Sequence, residues 1–131
     1  MNFTLALDNK GRVYAWGEGE LGELGTGRQT SEKLPVKITM TDNRENLKIK
    51  HICCGSNFSL AVDDFGRIYS WGDNFYGQLG IRDLSTKIHQ LTPKRVELDE
   101  KVLTAACGLY HSICIVEKYL VYGWGNNING Q

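Results

Sequence analysis

Three tryptophans, at positions 16, 71 and 124, are each followed by glycine and preceded two places back by tyrosine. The steps from 16 to 71 and from 71 to 124 are 55 and 53 residues. A recurrence this regular means one supersecondary unit used repeatedly, each copy burying its apolar face against the next. Laid side by side, NFTLALDNKGRVYAWGEGELGELG (2–25) matches NFSLAVDDFGRIYSWGDNFYGQLG (57–80), and YHSICIVEKYLVYGWGNNINGQ (110–131) is a third copy. An upstream element repeats as well, KIKHICCG (48–55) over KVLTAACG (101–108). The chain is read as a single array over 1–131, with copies in register at 2–25, 48–80 and 101–131.

Each copy reads as strands. Leu5, Leu7, Val13 and Ala15 alternate with their neighbours, the period of a half-buried strand. Asn9-Lys10-Gly11 and Asp64-Phe65-Gly66 predict hairpin turns in which glycine supplies a positive φ. The third copy has Glu117-Lys118-Tyr119 there, so its hairpin must turn differently or carry strain. The Tyr-x-Trp pairs lie on one strand face, which predicts that each indole fills the gap to a neighbouring sheet. Pro35 and Pro93 open a further short segment suited to an edge strand. About four strands per unit is the count of a propeller blade.

Gly17-x-Gly19-x-x-Gly22, directly after an apolar run, has the spacing of a nucleotide-binding loop. The other copies decide against that reading. Gly17 recurs as Gly72 and Gly125 and Gly22 as Gly77 and Gly130, whereas Gly19 becomes Asn74 and Asn127. Two glycines persist, as a turn requires, and Glu18, Glu20 and Glu23 would repel a phosphate. No cofactor is expected.

Composition narrows the function classes. Fifteen Lys and Arg balance fifteen Asp and Glu, so no overall field draws the chain to nucleic acid, and direct nucleic-acid binding is not expected. No apolar run approaches the ~20 residues of a membrane-crossing helix, so membrane insertion is not expected. The adjacent Cys53-Cys54 suits a reduced, intracellular protein of cytoplasm or nucleus better than a disulfide framework. Cys53, Cys54, Cys107 and Cys114 with His51, His89 and His111 fit no zinc spacing and read as packing residues. Asp63-Asp64 and Asp99-Glu100 fall at turn-like places and are expected to face solvent. No nucleophile, base and orienting group can be assembled, so no catalytic residue is assigned and the chain is not expected to be an enzyme.

These motifs resemble the repeats of the regulator of chromosome condensation family. The matches are Cys54-Gly55 and Cys107-Gly108, His111-Ser112, Asp8 to Gly11, Asp64 to Gly66, and Tyr-x-Trp-Gly three times. The turns Gly77-Gln78-Leu79-Gly80 and Gly22-Glu23-Leu24-Gly25 complete the pattern. The resemblance implies an all-β chain of propeller blades, here an incomplete ring because full members have about seven blades. Further blades, from the rest of a longer chain or from another subunit, are then an expected partner. Members that sense ultraviolet light carry Gly-Trp-Arg-His-Thr motifs, but Gly55-Ser56-Asn57-Phe58-Ser59 and Gly108-Leu109-Tyr110-His111-Ser112 hold no tryptophan.

Positions that vary over a fixed scaffold are where a partner would be read. They are Glu18 to Leu21, Asp73 to Tyr76, Asn126 to Asn129, Ser56-Asn57, Leu109-Tyr110 and the divergent segments 39–46 and 82–91. Phe75, Tyr76 and Tyr110 are the expected aromatic anchors, with Asn74, Glu20 and Asn127 at related places. The expected function is a protein-interaction or scaffold module. The alternative is a guanine nucleotide exchange factor, or part of one, for a Ran-like small GTPase, the best-known activity that the resemblance implies.

Overall fold

The computed structural model describes residues 2–40, 46–82 and 88–131. Parts of the two divergent segments, 41–45 and 83–87, lie outside them. Among the described residues the chain forms three antiparallel sheets. The first blade holds β1 (Phe3–Leu7), β2 (Val13–Gly17) and β3 (Glu32–Ile38) in that order. The second has four strands in sequential order, β4 (Ile49–Cys54), β5 (Phe58–Asp63), β6 (Ile68–Asp73) and β7 (His89–Val96). The third holds β8 (Val102–Cys107), β9 (His111–Val116) and β10 (Val121–Gly125), with a 3-10 turn at Glu117–Tyr119. Strands β1, β4 and β8 are neighbours across the blades. Pro35 and Pro93 sit in β3 and β7, both at a sheet edge, where a missing N–H costs no ladder bond.

Strand alternation explains why the second blade is covered on both faces. Along β5, Phe58, Leu60 and Val62 point into a core shared with the third blade, joined there by Ile68, Leu79, Val102, Cys114 and Val116. The intervening Ala61, with Tyr69 and Trp71 of β6, points into a second core with Val13, Ala15, Leu24 and Ile38 of the first blade. Every residue of β5 and β6 is consequently buried. The alternation along β5 thus sorts large apolar side chains to one interior face and smaller ones to the other, and burial alone does not reveal it.

The hairpins follow one device twice and abandon it once. Asp8 Oδ1 accepts the amides of Lys10 and Arg12 at 2.9 Å each, and Asp63 Oδ1 accepts those of Phe65 and Arg67 at 3.0 and 2.9 Å. In both, the arginine Nε meets the second carboxylate oxygen at 2.6 Å. The closing carboxylate of the second hairpin is thus Asp63, one residue before the Asp64 that the motif match begins on. Asp63 is also fully buried rather than facing solvent, because Arg67 and the Tyr69 hydroxyl neutralise and bond it inside the blade. In the third hairpin, Lys118 and Tyr119 take φ values of 70° and 59° with no glycine to relieve them.

Candidate protein-contact site

The turn after each Trp-Gly is built by recurring contacts. Gly17, Gly72 and Gly125 share φ values of +105°, +105° and +108°. A Cβ at any of them would collide with the carbonyl of Asn2, Asn57 or Tyr110 respectively. The next amide donates to that same carbonyl, from Glu18 at 2.9 Å, Asp73 at 2.8 Å and Asn126 at 2.9 Å. Five residues after that amide, a side chain closes the turn from within. Glu23 accepts the Leu21 amide at 2.8 Å, Gln78 that of Tyr76 at 2.9 Å, and Gln131 that of Asn129 at 2.8 Å. The amides that a phosphate would need at the first turn, those of Glu18, Leu21 and Gly22, are already engaged.

The same turns lock the blades together. The Glu23 carbonyl accepts the Trp71 indole N–H and the Ser59 hydroxyl, both at 2.9 Å. The Gln78 carbonyl accepts Trp124 at 2.8 Å and Ser112 at 2.7 Å. Gly25 and Gly80 let the indoles lie against the backbone, since a Cβ there would stand 2.8 and 2.7 Å from the Trp71 and Trp124 nitrogens. The tip of each turn projects beyond this lock.

At the second tip Phe75 and Tyr76 are exposed, and Tyr110 of the adjacent loop in the third blade leans towards them. Phe75 and Tyr76 meet edge to face at 5.0 Å between centroids, and Tyr76 and Tyr110 at 5.2 Å. Beside them, the β4–β5 loop of the second blade is tied to the Tyr110 loop by the Ser56 amide, which donates to the Leu109 carbonyl at 2.9 Å. The result is a two-blade aromatic surface on a rigid base, with Phe75 69% and Leu109 65% exposed. Rings in mutual contact leave no cage between them, so the patch presents a continuous face to a partner.

The structure therefore brings Phe75, Tyr76 and Tyr110 together. Asn74 underlies them: its Oδ1 accepts the Leu79 amide at 3.1 Å and its amide donates to Ile88 at 2.7 Å. Glu20 and Asn127 lie exposed on the equivalent turns of the first and third blades. Leu109, grouped with Tyr110 as variable but not singled out in the sequence, joins the exposed apolar surface. Its signal was its place beside Tyr110, where the second copy has Ser56.

The cysteines and histidines take separate places. Cys114 is buried, but Cys53, Cys54 and Cys107 are only half-buried because they line the end of the inner strands. His51 Nε2 bonds the Ala105 carbonyl across the blades at 2.7 Å, and the His111 ring fills the space that Gly108 leaves, as Phe58 does above Gly55. Among the described residues, no three acidic, cysteine or histidine side chains gather as a metal site.

The model of the regulator of chromosome condensation (RCC1) repeat matches residues 10–62 and 66–115. The human E3 ubiquitin-protein ligase HERC2 is 36% identical over 130 residues, covering 98% of this chain and 3% of that protein. Among solved structures, human WBSCR16 superposes with a TM-score of 0.85 at 27% identity, over 95% of this chain and 31% of that one. Yeast RCC1 (Prp20), in its complex with Kap60, superposes with a TM-score of 0.83 at 23% identity, over 96% and 30%. The chain thus spans less than a third of each of these proteins.

Proposed function

The chain belongs to the regulator of chromosome condensation repeat family, and from that premise we propose that it is a protein-interaction module. Its contact face is the Phe75–Tyr76–Tyr110 cluster with Leu109 at its edge. The observation that carries this reading is a set of large apolar rings held in contact across two blades yet left open to solvent. Aromatic residues on a preorganised base supply most of the energy in many protein interfaces and lose little entropy on binding. Yeast RCC1 (Prp20), which this chain resembles in fold, is itself seen in complex with a protein, Kap60. The partner class is protein; the location proposed is intracellular, supported by four cysteines that are all free thiols.

Further blades are a second proposed partner. Thr4 and Trp16 occupy the places of Ser59 and Trp71, and both carry solvent exposure where the later pair grips a neighbouring carbonyl.

The test is comparative affinity purification of three forms: the unaltered chain, the Phe75→Ala/Tyr110→Ala variant and a Phe65→Ala control. Phe65 is 56% exposed on the hairpin at the opposite end of the second blade. A protein retained by the control and lost by the double variant supports the reading. Equal retention by all three rejects it. Stimulated release of labelled nucleotide from a Ran-type GTPase by the same chain would replace it with the exchange-factor reading.

A further inference from the structure

Cys53 near the end of β4 and Cys107 at the end of β8 belong to different blades, yet their sulfurs stand 3.2 Å apart, the Cys107 S–H pointing at Cys53. The two strands are packed neighbours and are tied just below by His51 and the Ala105 carbonyl at 2.7 Å. The repeat itself does not dictate this contact. The counterpart of Cys107 in the second blade is Cys54, and the counterpart of Cys53 in the third is Ala106. The pair exists because one extra cysteine stands at a position that otherwise takes a small residue. Both residues are half-buried at the edge of the core between the two blades. Cys54 is excluded from the pair by strand geometry, since successive side chains point to opposite faces.

We propose that Cys53 and Cys107 form a thiol modification site, closing to a reversible disulfide that joins the second blade to the third when the chain meets a low-molecular-weight disulfide. The Cys53 thiolate attacks one sulfur of the small disulfide, giving a mixed disulfide and expelling one small thiolate, which is protonated. Cys107 then attacks the Cys53 sulfur and expels the second small thiol, its own proton passing to that leaving group. Two protein thiols are oxidised and one small disulfide is reduced to two thiols. The order follows from the contact. The Cys107 S–H holds the Cys53 thiol below its ordinary range, while the same contact and burial push Cys107 up.

The experiment treats the folded chain with oxidised glutathione, quenches in acid, alkylates the remaining thiols and maps peptides under non-reducing conditions. The expected result is loss of two of the four thiols, a peptide linked through Cys53 and Cys107, and Cys54 and Cys114 still alkylated. The link should persist in Cys54→Ser, disappear in Cys53→Ala and reopen with a small thiol. The thermal midpoint of the unaltered chain should rise on oxidation, and that of Cys53→Ala should not. Alanine is the residue at the equivalent place in the third blade, so this variant suits the strand. A reaction that stops at mixed disulfides, a link through Cys54, or a link that forms as fast in urea as in the folded chain would overturn the proposal.

Discussion

The indole of Trp71 donates to the backbone carbonyl of Glu23 at 2.9 Å, from one blade to the turn of the blade before it. The pair is a link between units and not an ornament of either one. Trp71→Phe keeps an aromatic ring but removes the donor and part of a fully buried side chain. The expected loss is about 2 kcal/mol of unfolding free energy in urea. Trp16, half-buried in the first blade, makes no such bond among the described residues, and Trp16→Phe should cost clearly less. Equal losses would show that the tryptophans act within their own sheets.

Glu23 puts a carboxylate where the other turns use Gln78 and Gln131, and it is 1% exposed. Its oxygens accept the Leu21 amide at 2.8 Å and the Asn57 side-chain amide at 3.3 Å, and among the described residues no cation pairs with it. Glu23→Gln retains an acceptor for Leu21 and removes the cost of burying a charge. We expect a gain of about 1 kcal/mol, read from urea unfolding at neutral pH. A loss would mean that the charge itself holds the turn.

Asp8 and Asp63 carry out the same hairpin closure in different surroundings. Asp63 and Arg67 are 0% and 8% exposed at the side chain, so Asp63→Asn breaks a buried pair and should cost about 3–5 kcal/mol. Asp8→Asn should cost far less, because its partner Arg12 is 44% exposed. The Arg12 amide above all, opposed by desolvation and helped by the Arg12 guanidinium and the Lys10 amide, holds the Asp8 carboxyl below its usual range. A lowered folded value stabilises above the unfolded value of about 4 and ceases to do so as the pH falls through the folded one. The advantage of the unaltered chain over Asp8→Asn should therefore be full above about pH 4 and vanish in stronger acid. Unfolding curves across that range check both the size and the direction.

Tyr119, at the place of Gly11 and Gly66, and Lys118 just before it both hold positive φ in an exposed turn. Lys118→Gly should stabilise the chain by about 0.5 kcal/mol, the relief of strain being partly offset by the entropy of a freer unfolded chain. An unchanged or lower midpoint would show that the 3-10 turn is at ease with lysine.

Much of this arrangement was legible in the repeat. The spacing of Trp16, Trp71 and Trp124, the paired prolines and the two constant glycines of each turn led to blades, edge strands and tight turns. Phe75, Tyr76 and Tyr110 could be chosen because they vary over a constant scaffold. Their contact could not, since Tyr76 and Tyr110 are far apart in sequence and meet only through the stacking of two blades. The burial of Asp63 escaped for a similar reason. Its hairpin matches that of Asp8 in sequence, and only the blades on either side make one of them interior. The meeting of Cys53 with Cys107, rather than of the repeat-equivalent Cys54 with Cys107, likewise depends on which strand face looks towards the next blade.

Protein binding at the aromatic face is tested most directly by placing a photo-reactive phenylalanine analogue at position 75 or, as control, at position 65, and illuminating cells that express each form. Position 75 should give a discrete covalent adduct with a protein, absent from position 65 and lost when Tyr110→Ala is added. Adducts that form equally from both positions, or from position 65 alone, would contradict it.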